Sequence, residues 1–521
     1  MHIDGRKIEN NSIIEGDICI IGAGAAGISI ALDWLHTSKK VILLEGGGFE
    51  YEEQMQDLYK TKTNNGQEYF PIEHSRLHYF GGTTGHWGGY CSPYDDIDFE
   101  KRKWVDHSGW PITKKDLDPY YERSVDLFEL KCSEFDLEYW KEEKPNLKNL
   151  PLDEKVVWSK IWQLSPPTRF GTKYKDDIVN AKNIHLYTYA NVVNLEMDNE
   201  HSQIRQVTIK NHAGKTHQVK AKYFILACGA IQNSRLLLAS NTQSKNGIGN
   251  DNDLVGRFFM EHIEMKISEL WLEKPLNMNL YLFRESVHSR IKAELAISSE
   301  IQRKNEILNG TTYLIPLIYN RRIEDKYERW RNFGIQKKER STWDKIKNRF
   351  LKIKESQETN IDKAYGLFTR IEQAPNPNSR IFIDSEKDAL GMPRVDVDWK
   401  VSILEKKSLI KIHQIIGQQI GISNLGRIKI MENLLDLNDE SWLKSTNGGW
   451  HQMGTTRMNN NPKEGVVDSD CKVHSLNNLY IAGSSCFPTG GAANPTFTIV
   501  ALSLRLSDHI KDVLNKVNPI S

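Results

Sequence analysis

Residues 22–27, with the sequence GAGAAG, have the spacing of a phosphate-binding glycine loop. In such a loop Gly22 permits a tight turn, Gly24 lets the backbone approach a pyrophosphate, and Gly27 lets a helix pack closely on a strand. Glu45 follows about eighteen residues later, where an acid can accept hydrogen bonds from both ribose hydroxyls. The pattern predicts a site for an ADP moiety and leaves NAD and FAD as alternative cofactors.

A second loop, GGTTGHWGG at residues 81–89, surrounds His86 and Trp87 with glycines and threonines. Glycine loses more conformational freedom on folding than any other residue, so a loop this rich in glycine is a poor core segment. The combination suggests a functional role for the loop.

Two C-terminal stretches carry the remaining candidates, WHQMGTTRM at 450–458 and GGAANPTF at 490–497. Asn494 stands at or near a helix N-cap, and Pro495 suits the first helical position, where a missing N–H costs nothing. The small residues before Asn494 would let a flat ring approach the helix end. His451 stands next to a glycine–threonine turn, and its residue type leaves a chemical role open. The alternatives are a structural histidine and a plain helix cap.

Buried strands and helices must position these residues. The segment DICIIG, the apolar run after the glycine loop and the segment KKVILLEGG predict one strand–helix–strand unit of a parallel sheet. Residues 185–226 have the pattern of several short strands, which we expect to be antiparallel, and residues 222–240 that of a strand, a turn and a helix. The chain closes with the apolar strand NNLYIAG and a long helix. The predicted fold class is α/β, or α+β overall.

Composition excludes several classes of function. The chain has 521 residues, enough for two or three domains, and a net charge of +1, which gives no indication of nucleic-acid binding. Its six cysteines form no CxxC pair, so we predict neither disulfides nor a metal site. No apolar signal core or membrane-spanning run is visible, and we expect a cytoplasmic protein.

The segment 321–354 is strongly basic and punctuated by aromatic residues. A solvated, partly helical insertion is the simplest interpretation. An oligomer contact, a lid, or a docking site for an acidic or membrane-bound electron acceptor are the alternatives.

Taken together, these motifs resemble the glucose–methanol–choline (GMC) oxidoreductases, a family of FAD enzymes, over nearly the whole chain. The resemblance also rests on SGWPITKKDLDPYYERS, ANVVNL, ACGAIQNSRLLLAS, LVGRFFMEH and EQAPNPNSRIFID. The C-terminal motifs are most similar to those of pyranose 2-oxidase and of bacterial sugar and glycoside oxidases. This implies a discontinuous, Rossmann-like FAD-binding domain and a substrate domain with an antiparallel sheet and flanking helices. The implied boundaries are 1–105, 180–262 and 445–521 for the first domain, and 106–179 and 263–444 for the second.

The resemblance implies a role for individual residues. His451 matches the family's active-site histidine, and Asn494 matches its partner, which is a second histidine in many members. Many members also carry an aspartate at Gly483, and its contacts are not transferred here. The implied cofactor contacts are Gly22, Gly24, Gly27 and Glu45 for the ADP half, Val192, Ala227 and Cys228 for adenosine, and Gly82, Thr83, His86, Trp87, Gly483, Asn494 and Pro495 for the rest of FAD.

His86 has two implied roles. Enzymes similar to pyranose 2-oxidase attach the flavin 8α-methyl carbon to a histidine in a loop of this kind. In other relatives the same sequence accompanies an FAD that is not covalent, and His86 would then pack or form a hydrogen bond beside the flavin.

The implied reaction is oxidation of an alcohol to a carbonyl, with hydride passing to flavin N5 and His451 as the base. The implied substrate is a sugar, glycoside or polyol, and the implied acceptor is oxygen, a quinone or a redox partner. The alternatives are a non-carbohydrate alcohol in natural-product tailoring, a lyase whose FAD is redox-silent, and a non-catalytic or partner-dependent subunit.

Overall fold

The computed structural model describes residues 1–64, 66–67, 71–282, 291–317 and 363–517. The basic segment 321–354, with the interpretations offered for it, lies outside the described residues. Within the described ranges, no helix is both long enough and apolar enough to cross a membrane.

The described strands are β1 (His2–Asp4), β2 (Ile13–Glu15), β3 (Ile18–Ile21), β4 (Val41–Leu44), β5 (Thr61–Asn64), β6 (Tyr90–Cys91), β7 (Val157–Leu164), β8 (Ile184–Thr188), β9 (Asn191–Met197), β10 (Ile204–Lys210), β11 (Thr216–Lys220), β12 (Tyr223–Leu226), β13 (Ile263–Leu272), β14 (Ile291–Ile297), β15 (Gly310–Pro316), β16 (Ala364–Ile371), β17 (Arg380–Lys387), β18 (Pro393–Asp398), β19 (Gly426–Ile430), β20 (Asn447–Gly448) and β21 (Leu479–Ile481).

The described helices are α1 (Ala25–Asp33), α2 (Glu53–Gln56), α3 (Asp96–Phe99), α4 (Asp118–Leu127), α5 (Leu137–Glu143), α6 (Phe170–Lys173), α7 (Lys175–Asn180), α8 (Gly229–Ala239), α9 (Ser299–Asn305), α10 (Ile403–Ile422), α11 (Glu432–Leu435) and α12 (Pro495–Val517). Short 3₁₀ turns lie at Asp57–Tyr59, Ile72–Ser75, Gly82–Gly85, Lys114–Asp116, Glu440–Ser445 and Ser484–Cys486.

A six-stranded parallel sheet forms the first layer, in the order β1-β8-β4-β3-β12-β21. Its central strands β3 and β4 are buried along their whole length, as expected for strands covered on both faces. The strand–helix–strand unit predicted around the glycine loop is present as β3, α1 and β4. Helix α12 packs against α1, so the end of the described chain lies beside its beginning.

The prediction that residues 185–226 form antiparallel strands is correct only for the middle of that range. Strands β9, β10 and β11 are antiparallel, and β2 joins them in parallel. The flanking strands β8 and β12 instead enter the parallel sheet. Their runs LYT and FIL are buried at every residue, which is the pattern of a parallel strand and not of a half-exposed one.

An antiparallel sheet of eight strands forms the second layer, in the order β19-β13-β16-β15-β14-β7-β6, with β20 paired to β13. One face of this sheet packs on α10 through a buried apolar core. The other face carries Trp162, Glu294 and Arg370. The Nε of Arg370 donates to the carbonyl oxygen of Ala492 at 3.2 Å, so this face meets the loop that precedes α12. A third sheet, in the order β17-β18-β5, is small.

The division of the chain into two domains stays a proposal, and two features cross the predicted boundaries. Strands β6 and β20 belong by sequence to the predicted FAD-binding segments, yet both pair within the eight-stranded sheet. Helix α4 belongs to the predicted substrate segment, yet it packs against α12 in the core of the parallel sheet.

Candidate functional site

A long cavity follows the carboxyl ends of four neighbouring parallel strands, β3, β4, β12 and β21. It encloses about 1580 Å³ including its opening to solvent. Ligands of open α/β sheets bind at this edge, where the strands end and the helices begin. The loop at 82–87, residues 450–452 and the first turn of α12 complete the wall.

The glycine loop forms one side of this cavity, and each glycine has a separate physical reason. Gly22 has φ +105°, a conformation that disfavours any side chain. A Cβ at Gly27 would stand 1.9 Å from the carbonyl oxygen of Gly22, so only glycine lets α1 approach the strand this closely. A Cβ at Gly24 would meet no atom of the described chain within 4 Å and would project into the cavity.

The N-terminus of α1 opens onto the same cavity. Gly24 is its N-cap, and no side chain of the described residues caps it. The first N–H groups of a helix attract anions, because they lack partners within the helix and lie at the positive end of its dipole. This part of the cavity therefore suits a phosphate or pyrophosphate.

Glu45 marks the next section of the cavity, where β4 ends. Its carboxylate accepts hydrogen bonds from the backbone N–H of Ala23 at 3.1 Å and of Gly47 at 2.9 Å. Burial raises the pKa of Glu45, and these two N–H groups oppose that effect. Val192, in β9, lines the same cavity.

Sequence reasoning missed an aromatic pair at this end of the cavity. The rings of Tyr59 and His78 stack with centroids 4.3 Å apart and planes inclined by 3°, and both line the cavity. Arg235 also lines it and donates to Asp388 at 2.7 Å. Arg235 lies in the motif ACGAIQNSRLLLAS, which was given cofactor contacts only at Ala227 and Cys228, and no sequence signal pointed to the other three.

The loop around His86 lies at the other end of the cavity. Its 3₁₀ turn and the ring of Trp87 line the cavity, and the indole N–H of Trp87 donates to the carbonyl oxygen of Thr168 at 2.9 Å. The His86 ring lies 3.3 Å from the carbonyl oxygen of Ser75 and packs on Trp450. Burial lowers the pKa of His86 to about 4.

His451 and Asn494 meet at the end of the cavity near that loop. The Nε2 atom of His451 lies 3.2 Å from the Nδ2 atom of Asn494. The Oδ1 atom of Asn494 accepts a hydrogen bond from the indole N–H of Trp162, at 3.3 Å. Burial is the main reason why the pKa of His451 is well below its ordinary value. A neutral imidazole beside an amide can accept a proton from a bound hydroxyl.

A second histidine, His262, lies behind His451, with the two Nδ1 atoms 2.8 Å apart. Its Nε2 atom lies 2.8 Å from the carbonyl oxygen of Gly491. The carboxylate of Glu261 accepts the backbone N–H of both histidines, at 2.9 Å for His262 and 2.6 Å for His451. The motif LVGRFFMEH contains both Glu261 and His262, and sequence reasoning gave neither a role.

The structure brings most of the predicted site residues together. Gly27 lies behind the cavity wall, between α1 and β3, and Asn494 reaches the site through its bond to His451. Among the described residues, His86 is placed toward Ser75 and is not part of the wall. The predicted residues that line the cavity are Gly22, Gly24, Glu45, Gly82, Thr83, Trp87, Val192, Ala227, Cys228, His451, Gly483 and Pro495.

Comparison with characterised proteins gives relatives along almost the whole chain. A 2-methyl-1,2-propanediol dehydrogenase of Mycolicibacterium austroafricanum is 23% identical, with 95% of each chain covered. A 6'''-hydroxyparomomycin C oxidase of Streptomyces lividus is 25% identical over 94% of this chain and 90% of its own.

Among solved structures, pyridoxine 4-oxidase from Mesorbium loti has a similar fold. Its TM-score is 0.56 at 13% identity, and 95% of this chain and 99% of that one are covered. Residues 375–503 match the model of the GMC oxidoreductase family. One of these relatives is named a dehydrogenase and the other an oxidase, and with the match over residues 375–503 the chain is similar to the GMC oxidoreductases, the family that its motifs resemble.

Proposed function

We propose that this protein is an FAD-dependent oxidoreductase that oxidises a CH–OH group of a sugar, glycoside or polyol to a carbonyl. The observation that carries the proposal is the pairing of His451 with Asn494 beside the cavity that the glycine loop lines. A base and an amide at that place can hold one hydroxyl group between them.

The residues along the cavity fit FAD. The open N-terminus of α1 and the bare Gly24 suit the pyrophosphate, and Glu45 and Val192 lie where adenosine would bind. Gly483 and Pro495 line the same cavity as His451, where the ring system would bind. When bound, FAD accepts the hydride that leaves the substrate carbon.

The chain's own residues supply the proton transfer and the orientation. His451 accepts the proton of the substrate hydroxyl at Nε2, which builds electron density on oxygen for the forming C=O bond. Burial keeps the imidazole neutral, so it is ready to act as a base at neutral pH. Asn494 holds the same hydroxyl with its amide and directs the C–H bond, which is a positioning role.

The nature of the relatives supports the substrate class. One is named a dehydrogenase of 2-methyl-1,2-propanediol and the other an oxidase of 6'''-hydroxyparomomycin C. A hydroxylated compound stands in both names. A lyase with redox-silent FAD is the alternative, and it predicts that no alcohol reduces the flavin.

Two further properties belong to the proposal. We infer that the FAD is held without a covalent bond, because the His86 ring bonds to Ser75 and lies outside the cavity wall of the described chain. We also infer a reducing compartment, the cytoplasm, because all six cysteines lie in described residues and are free thiols.

Anaerobic flavin reduction tests the proposal. The purified holoenzyme is mixed with a panel of sugars, glycosides, polyols and simple alcohols, and flavin bleaching is followed by stopped flow. We expect His451→Ala to keep its FAD and to be reduced about 10²- to 10⁴-fold more slowly, the usual contribution of a general base. His474→Ala is the control, because that ring contacts the carbonyl oxygen of Asn459 away from the cavity.

The possible results separate the claims. If no alcohol bleaches the wild-type flavin, the redox proposal is wrong and the lyase is favoured. If His451→Ala is reduced at nearly the wild-type rate, the oxidation stands and the base has been assigned incorrectly.

A further inference from the structure

An unbroken chain of polar contacts crosses the site from Trp162 to Gly491. The indole N–H of Trp162 contacts Asn494 at 3.3 Å, Asn494 contacts His451 at 3.2 Å, and His451 contacts His262 at 2.8 Å. His262 then contacts the Gly491 carbonyl oxygen, also at 2.8 Å. The two ends of this chain have fixed roles, and they determine where each proton lies.

At one end, a carbonyl oxygen can only accept a hydrogen bond. The Nε2 atom of His262 faces the carbonyl oxygens of both Gly491 and Gly490, so it must carry a proton. Burial lowers the pKa of His262 to about 4, and this imidazole is neutral at ordinary pH. Its Nδ1 atom therefore has a free electron pair, which points at His451.

It follows that His451 donates from Nδ1 to His262. A neutral imidazole carries a single N–H, so the Nε2 atom of His451 is left with its electron pair. That electron pair is what a base needs to accept a hydroxyl proton.

The other end of the chain leads to the same result. The indole N–H of Trp162 can only donate, so the atom of Asn494 that it contacts is the amide oxygen. The NH₂ group of Asn494 then faces His451 and donates to its Nε2 atom. Both ends of the chain require the same tautomer of His451.

Resting on the proposed function, we propose that His262 is a positioning residue that holds His451 in the tautomer able to accept the substrate proton. In the transfer, the substrate O–H bond breaks and an N–H bond forms at Nε2 of His451. The N–H at Nδ1 stays in place, and its hydrogen bond to His262 becomes charge-assisted and stronger. Without this acceptor, the N–H at Nδ1 of His451 loses its partner, and Asn494 alone opposes the tautomer that carries the proton on Nε2, where it blocks the reaction.

Three charged side chains lie around the His262–His451 pair. Glu261 accepts both of their backbone N–H groups. Arg370 lowers the pKa of both rings, and Glu372 raises that of His262. Arg370 is held by Glu294 at 2.8 Å, and the same carboxylate also pairs with Lys292 at 3.3 Å. The substitutions below leave all of these groups in place.

Two substitutions of similar size separate positioning from packing. In His262→Gln, the amide oxygen can accept from His451 and the NH₂ can donate to Gly491, so both bonds are retained. In His262→Met both bonds are lost. We expect flavin reduction close to the wild-type rate in His262→Gln and about 10- to 150-fold slower in His262→Met, the range for losing a hydrogen bond to a charged group.

The pH dependence of the rate of flavin reduction distinguishes a positioning role from a merely structural one. We expect the rate of flavin reduction in the wild type to be level above neutral pH, because His451 is already neutral there. In His262→Met the rate should rise with pH, because the ionised alcohol or hydroxide replaces the missing base. His413→Met is the matched control, since His413 is equally buried but bonds to Ser268 and Thr369 in the second layer.

A measurement without turnover completes the test. Protein labelled with ¹⁵N-histidine is examined by long-range ¹H–¹⁵N correlation, and the His451 signals are identified by their loss in His451→Ala. We expect an unprotonated Nε2 in the wild type and in His262→Gln. A protonated Nε2 in the wild type would overturn the proposal, even if His262→Met fails to fold.

Two kinetic outcomes would also overturn it. One is a wild-type rate and pH profile in His262→Met, and the other is an equal loss of rate in His413→Met. A wild-type flavin that no alcohol reduces would refute the proposed function, while the tautomer of His451 would still be read from the spectra.

Discussion

Replacing single glycines of the phosphate loop with alanine should affect different properties at two positions only three residues apart: protein stability at Gly27 and FAD affinity at Gly24. In Gly27→Ala, the new methyl group would stand 1.9 Å from the Gly22 carbonyl oxygen, against an ordinary contact of 3.4 Å. Helix α1 must then move by about 1.5 Å. Because the collision is with backbone, we take the upper part of the overpacking range, about 2–3 kcal/mol.

The higher helix propensity of alanine offsets up to about 1 kcal/mol of this loss of stability. The net loss is about 1–3 kcal/mol, or a fall of roughly 2–12 °C in the Tm of the apoprotein, on the scale for domains of about 150–250 residues. In Gly24→Ala the methyl group meets no described atom within 4 Å, and φ −86° is open to alanine. The weaker N-cap costs less than about 1 kcal/mol, but the methyl group occupies space that the pyrophosphate needs.

The assay measures two quantities for each variant. Thermal unfolding of the apoprotein, followed by circular dichroism, reports on packing, and titration of the apoprotein with FAD reports on the site. We expect Gly27→Ala to lose more apoprotein stability and Gly24→Ala to lose more FAD affinity. The reasoning fails if Gly27→Ala apoprotein melts at the wild-type temperature, or if Gly24→Ala binds FAD as tightly as the wild type.

The remaining predictions concern one pH dependence and one covalent bond. Burial raises the pKa of Glu405 from 4.5 to about 7, so the folded state binds an extra proton between these values and stability falls as pH rises through them, by up to about 3 kcal/mol. Urea unfolding measured across this pH range should show that the free energy of unfolding falls more steeply with pH in the wild type than in Glu405→Gln. Equal pH dependence of the two free energies would contradict the prediction. Acid precipitation should release the flavin into the supernatant, and colour that stays with the pellet would mean a covalent link and make His86 the residue to substitute.

Local patterns predicted those parts of the site that are contiguous in sequence. The glycine loop, β3, α1 and β4 follow one another, and each step is fixed by short-range sterics and by the burial of apolar runs. The start of α12 at Pro495, directly after Asn494, is similarly local. The resemblance to a family supplied His451 as the active-site histidine, which no spacing rule singled out.

The contacts that complete the site depend on pairings distant in sequence. His262 immediately precedes β13, Trp162 lies in β7 and Gly491 precedes α12, and no periodicity in one segment indicates that they meet. The strand error had a related cause. Polar turns between the strands of 185–226 suggested hairpins, whereas burial on both faces assigns β8 and β12 to a parallel sheet whose other members lie elsewhere in the chain.

The order of the sheet has a consequence for synthesis on the ribosome. Residues that line the cavity are spread from Ile21 to Ile499. At about 5–20 residues per second, the glycine loop leaves the ribosome roughly 25–100 s before the last of them is made. Until then β12 lacks its outer neighbour β21, α1 lacks α12, and the apolar surfaces they cover stay exposed to chaperones. The wall of the cavity in a nascent chain is therefore complete only once the first turn of α12 has been made.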